Sequence, residues 1–200
     1  MHFNMHWNLI DIRFLDLNFY SRLDFSYESN NWGIGLPPKE KNERNWPLIK
    51  SRLANASFKP QKIHILSAVE NFEDVLRIRY SSPLFRLRTA NEIQERVRFH
   101  NCGPSWVRGV IVMSIEDGYS GMPGMTQMDP LYSFIVIVFN ACPSNASFSI
   151  PSLRRKKLEL HPLQLMSSDK VVKNSFYEAT SGSFSIPART TSVFVEVRAI

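Results

Sequence analysis

KIHILSAVENFEDVLRIRYSSPLFRLRTANEIQERVRFHN, residues 62–101, is where the chain changes architecture. In its first half Ile65, Val69, Phe72 and Leu76 recur at the spacing of one helical face, while Glu70, Glu73, Asp74, Arg77 and Arg79 take the other sides. The spacing predicts a helix over 62–80 whose apolar stripe needs a partner. Ser81-Ser82-Pro83 ends it, because proline disfavours helical backbone in the residue before it, and Leu84 to Arg88 begins a shorter piece. Thr89 reads as an N-cap, with Glu92 placed to accept a bond from the cap's own N–H. From Arg96 the period falls to two, so that Val97 and Phe99 point one way while Arg96, Arg98 and His100 point the other. A helical layer stops here and a β-domain begins.

Downstream, strand and turn signals alternate. Val110 to Ile115 is a β-branched run that stops at Asp117-Gly118, and Gly121 to Gly124 is a loop. Tyr132 to Phe139 is the most apolar segment and is expected to be a central strand buried on both faces. Phe148–Ile150, Leu158–His161, Ser183–Ile186 and Thr191–Val197 complete the set, separated by Pro151, Pro162, Gly182 and Pro187. Short strands at this spacing predict a mainly β fold, an antiparallel β-sandwich. Upstream, Met1 to Asn18 has no clean period, Phe19 to Tyr27 reads as extended or briefly helical, and Ser29 to Pro38 is loop chemistry. Lys39 to Asn45 is polar and expected to be exposed, and Trp46 to Ile49 starts a short amphipathic turn with Leu53.

With 44% hydrophobic and 21% charged residues the chain is able to bury a core. The net charge of +6 permits polyanion binding, but only Arg154-Arg155-Lys156-Lys157 forms a basic run, and without interleaved aromatics it reads as a solvated turn rather than a nucleic-acid patch. No apolar run is long enough to span a membrane, so neither nucleic acid nor membrane is expected as a partner. Cys102 and Cys142 stand alone without a CxxC or His/Cys cluster; no metal is expected, and a reducing compartment is the simpler reading. Asn55-Ala56-Ser57 and Asn145-Ala146-Ser147 fit the glycosylation pattern, which matters only in a secreted protein. Residues 1–18 lack both signal-peptide and transit-peptide composition, so no targeting signal is expected in this chain.

Candidate chemistry is sparse. A glycosidase needs two carboxyl groups facing one bond, roughly 5 to 9.5 Å apart. Glu92 and Glu95 flank a helix-to-strand junction, Glu116 and Asp117 sit at a hairpin turn, and Asp129 precedes Pro130; capping, turn and loop roles account for each, and no catalytic residue is expected. No Gly-x-Ser-x-Gly elbow appears, His64, His100 and His161 are scattered, and no glycine loop exists to cradle a phosphate, so no cofactor is expected. Trp32, Trp46 and Trp106 are the candidates for stacking on sugar rings, against the alternative that they pack structurally.

Five blocks, in this order and spacing, resemble the C-terminal part of the pullulanase-type starch debranching enzymes of the plant limit dextrinase kind, in glycoside hydrolase family 13. They are Arg22 to Phe25, Asn30 to Pro38, Tyr80 to Leu87, Gln94 to Asn101 and Pro187 to Val195, and the resemblance runs from about Phe19 to Arg198. It implies that Lys62 to Tyr80 is the last helix packed around a (β/α)8 barrel and that the C-terminal sandwich domain follows. The division expected is therefore 1–18 unmatched, 19–88 the end of an incomplete barrel, and 89–200 the pullulanase-type α-1,6-glucosidase C-terminal domain. A whole barrel takes about 250 residues, more than this chain has.

Members of that family hydrolyse α-1,6 branch linkages in limit dextrins, amylopectin and pullulan, with an aspartate nucleophile, a glutamate acid/base and a second aspartate on upstream barrel strands. No such motif occurs here. Where the family carries an Asp-x-Asp-Ser-Tyr loop before Phe19-Tyr20-Ser21, this chain has Leu9 to Asn18, which does not match. The resemblance implies α-glucan as the partner of the complete enzyme, the plastid stroma as its location, and no activity for this chain alone. The alternative is a non-catalytic α-glucan-binding module acting through Trp32, Trp46 or Trp106.

Overall fold

The apolar run Tyr132–Asn140 forms β3 at the centre of a five-stranded sheet in the computed structural model, which describes residues 26–28, 32, 35–103 and 106–198. The segment expected to be unmatched, 1–18, and the reading of 19–25 lie outside these residues. The chain divides into two compact units, Met1–Glu70 and Asn71–Ile200.

The first unit contains α1 (Lys39–Asn42), α2 (Trp46–Leu53) and the beginning of α3 (Lys62–Ser81). Lys39 to Asn45 is largely exposed, as expected, with Asn42 as the buried exception, and it winds into α1 and a 3-10 turn. The reason is local: the Asn42 backbone and side-chain amides both donate to the Pro38 carbonyl, closing a turn that composition does not signal.

The second unit is a two-sheet sandwich. β1 (Val97–Phe99), β2 (Val110–Glu116), β3, β8 (Thr190–Val197) and β5 (Glu159–Leu160) form one antiparallel sheet in the order β1-β2-β3-β8-β5. β4 (Ala146–Ser149), β7 (Ser183–Ile186) and β6 (Phe176–Glu178) form the other, in the order β4-β7-β6. Sequence reasoning missed β6 and the short helix α5 (Pro162–Met166), and placed β4 two residues late. Both missed elements are too short to show a period.

Why β3 reads as continuous apolar sequence is now plain. Phe134, Val136 and Val138 face the second sheet and share a core cluster with its Phe184 and Ile186 and with Phe194 of the neighbouring β8, while Ile135 and Ile137 face the opposite side, where Ile78 and Leu84 cover them. A register shift between Tyr132 and Phe134 changes the parity of the strand, so Tyr132 joins Ile135 and Ile137 instead of Phe134. Both faces of β3 are therefore interior along Phe134 to Val138.

The helix boundary follows the sequence closely. Ser82 Oγ accepts from Leu84 N at the start of the 3-10 turn Pro83–Arg86. Thr89 caps α4 (Ala90–Arg96) in a full capping box with Glu92. The expected apolar stripe is not what α3 buries in this unit, however. Phe72 is 62% exposed and Leu76 37%, and the helix reaches the sheet through Ile78 in its last turn.

Polar groups knit the ends of the sandwich together. Asp117, fully buried, receives Arg96 Nη1 at 2.6 Å on Oδ1 and Arg198 Nη2 at 2.6 Å on Oδ2, and it accepts the backbone N–H groups of Met128 and Asp129. Arg96 continues to the Thr126 carbonyl and Arg198 to those of Gly118 and Asp129. Asp129 accepts from Leu131 N, Tyr132 N and the Ser82 hydroxyl. Gly118 is the only residue type that fits, because a Cβ there would lie 1.6 Å from the Met125 carbonyl oxygen. Nearby, the buried His161 meets Ser81 Oγ through Nε2 at 3.0 Å and accepts from Leu163 N through Nδ1.

Two stability effects follow. Asp117→Asn leaves two buried guanidiniums without their counter-charge and is expected to cost about 3 to 5 kcal/mol, read as a fall in the urea unfolding midpoint; an unchanged midpoint would show that the arginines are held by other means. Burial pushes the His161 imidazole down from 6.5 to about 4. Because the unfolded chain takes up that proton first, the stability contributed by neutral His161 is present above pH 6.5 and is lost as pH falls through about 4. The loss is on the order of 3 kcal/mol. Unfolding at pH 7 and pH 4.5 should show a smaller acid loss for His161→Gln than for the unaltered chain, and equal losses would remove this histidine from the account.

Candidate functional site

Carboxylates come first, since the resemblance points to a hydrolase family. Glu92 is occupied by the N–H groups of Arg88 and Thr89, which hold its carboxyl below the ordinary range. Asp117 and Asp129, read from sequence as turn and loop residues, are instead buried and have both oxygens bonded. Glu95 and Glu116 lie on the surface, at the end of α4 and the end of β2. Among the described residues no group of three or more His, Cys, Asp and Glu side chains is arranged to hold a metal ion.

The described histidines stay apart. His64 Nδ1 accepts from Gln61 N at the start of α3, and His161 stands at the end of the same helix. His100 lies between Ser114 Oγ at 2.7 Å and Ser152 Oγ at 3.3 Å, with its pKa lowered by burial. No carboxylate completes that pair into a nucleophilic triad among the described contacts. The basic run is a turn: Arg154 donates to the Ser181 carbonyl, Lys156 stands 3.7 Å from Glu196 and 4.1 Å over the Phe134 ring, and Lys157 N donates to Glu196.

The three candidate tryptophans differ. Trp46 is half-buried, donates its indole N–H to the Pro37 carbonyl at 2.9 Å, and carries Lys50 over its ring at 5.3 Å. Trp32 is half-buried in the same unit. Trp106 belongs to the other unit and is 52% exposed. Beside it, the Asn101 side chain accepts from Val107 N at 2.8 Å and donates to the carbonyls of Val107 and Val110. The ring is thus exposed next to a residue, Val107, that Asn101 holds by hydrogen bonds.

Sequence reasoning missed a second surface. β4 and β7 each contain Ser-Phe-Ser, and they pair with Phe148 opposite Phe184, so both phenylalanines turn inward and stack with centroids 5.7 Å apart. Their flanking serines, Ser147, Ser149, Ser183 and Ser185, consequently share the outer face with Phe176 and Glu178 of β6, around an open cleft of about 330 Å³. The repeated Ser-Phe-Ser was the available signal.

The whole described range has relatives. Residues 27–197 match the family model for the C-terminal region of pullulanase-type α-1,6-glucosidases. The chain is 64% identical over 181 residues to the chloroplastic pullulanase 1 of Arabidopsis thaliana, which covers 90% of this chain and 19% of that protein. It is 24% identical over 176 residues to a pullulanase of Klebsiella pneumoniae, covering 88% and 16%. The fold also matches the crystal structure of the maltotriose complex of PulA from Klebsiella pneumoniae, with a TM-score of 0.76 and 26% identity over 89% of this chain and 18% of that one. The chain thus spans less than a fifth of the length of each of these proteins.

Proposed function

The chain belongs to the family of C-terminal regions of pullulanase-type α-1,6-glucosidases, and on that premise we propose that it is the non-hydrolytic β-sandwich part of a starch-debranching enzyme. The complete enzyme would cleave α-1,6 branch linkages in limit dextrins, amylopectin and pullulan within the plastid. The similarity to a chloroplastic pullulanase over 90% of this chain carries this reading.

Hydrolysis of a glycosidic bond requires one carboxyl group to donate a proton and a second to attack or to activate water. Here the interior carboxylates are committed to arginines and backbone N–H groups, and Glu92 to a helix cap. That allocation supports a structural role, with the reacting carboxylates contributed by barrel strands elsewhere in such enzymes. Purified chain incubated with pullulan should release no reducing sugar. Release that disappears on substitution of Glu92, Glu95, Glu116, Asp117 or Asp129 would reverse the reading.

A second role has its own observation. The exposed ring of Trp106, beside the Asn101-bonded Val107, has the presentation an aromatic needs to stack on a sugar face. Trp46, by contrast, has its N–H and one ring face engaged within its own unit. In a starch pull-down Trp106→Ala should reduce retention without moving the unfolding midpoint, while Trp46→Ala should lower the midpoint. Retention that ignores Trp106 would limit the chain to a scaffold role at that loop.

A further inference from the structure

We propose that the outer face of the small sheet, β4-β7-β6, is a second carbohydrate-binding surface, and that its ligand is a linear α-glucan segment. This rests on the assignment of the chain to a glucan-acting enzyme. The face itself supplies the argument. Strand register sets Ser147, Ser185 and Phe176 in one row and Ser149, Ser183 and Glu178 in the next. Adjacent strands lie about 4.8 Å apart, so each row spans roughly 10 Å, room for two sugar rings.

The two rows offer opposite halves of what a polyol requires. In the second row, Glu178 accepts the N–H groups of Thr180 and Ser181 and the hydroxyl of Ser181, and the Ser181 hydroxyl leads a group of hydrogen bonds that holds its carboxyl down to about 2. It is an acceptor throughout the physiological range. Ser181 Oγ lies 2.7 Å from Ser183 Oγ, which lies 2.7 Å from Ser149 Oγ. The Ser181 hydroxyl is shared as donor between the carboxylate and Ser183, and either hydroxyl can donate in the Ser149–Ser183 bond, so this row presents the carboxylate and hydroxyl oxygens able to accept. In the first row, Ser147 and Ser185 make no side-chain hydrogen bond among the described residues and are free to donate. Phe176, 60% exposed on the edge strand, closes that row with an apolar ring. A pyranose presents an apolar C–H face rimmed with hydroxyls, and this pattern of ring, donors and acceptors complements it.

Binding of maltoheptaose to the 200-residue chain, measured calorimetrically beside unfolding midpoints, tests the assignment. Phe176→Ala should weaken binding roughly fivefold or more, as loss of the face's one exposed aromatic contact does. Phe176→Tyr should preserve it, and the double change Ser147→Ala with Ser185→Ala should weaken it while leaving the fold intact. Trp106→Ala serves as the contrast and should leave this contribution in place. Unaltered affinity in both the Phe176→Ala and the double-serine proteins overturns the inference, as does failure of the unaltered chain to bind maltoheptaose. Neither result touches the proposed non-hydrolytic role, which is judged on pullulan.

Discussion

A single buried carboxylate, Asp117, holds three distant parts of the chain together. Arg96 brings the end of α4, Arg198 brings the end of β8, and the N–H groups of Met128 and Asp129 bring back the far side of the β2–β3 loop. Burying two guanidiniums is costly unless charge and hydrogen bonds are both supplied. The loop supplies the hydrogen bonds through its own carbonyls, at Thr126, Gly118 and Asp129. The accounting is incomplete at two atoms, since Arg96 Nε and Arg198 Nη1 have no partner among the described residues. The loop's path is thereby constrained from inside, and its tight approach at Gly118 follows.

The features legible in the sequence were those with a strong local period or a complete local motif. The α3 helix, its stop at Ser82-Pro83 and the Thr89 capping box all depend on residues within a few positions of one another. The central strand was legible for a different reason, that both of its faces are interior and so no polar residue interrupts Phe134 to Phe139. What escaped depends on contacts distant in sequence. Nothing near Asp117 announces that residues 21 and 81 positions away will converge on it. Nor does the residue pattern around Ser133 reveal the register shift that turns Tyr132 to the other side.

The candidate surfaces show the same division. The three candidate tryptophans were equivalent as letters; their surroundings separate Trp46, whose indole donates to a carbonyl, from Trp106, which is exposed beside the Asn101-bonded Val107. The Ser-Phe-Ser triplets were visible but carried no meaning until strand pairing set them side by side. Family membership, in contrast, was legible from the blocks between Asn30 and Val195, because it requires only order and spacing. Membership identifies the enzyme class to which the chain is related, whereas the work of this region within it is a matter of which groups reach its surface.

The position of β8 bears on how the domain is made. Late in the sequence, this strand inserts between β3 and β5 and covers the free edge of the most apolar strand in the fold. During synthesis β1, β2 and β3 emerge first and can pair as a meander, yet the open edge of β3 waits for the forty-nine intervening residues, Ala141 to Arg189, before its neighbour begins. An uncovered apolar edge is a template for pairing with other chains, and long-range strand insertion is slow. Nascent chains of this region therefore pass through an interval in which the β3 edge is open to pairing with other chains, and that interval closes only once Thr190 to Val197 is available to pair.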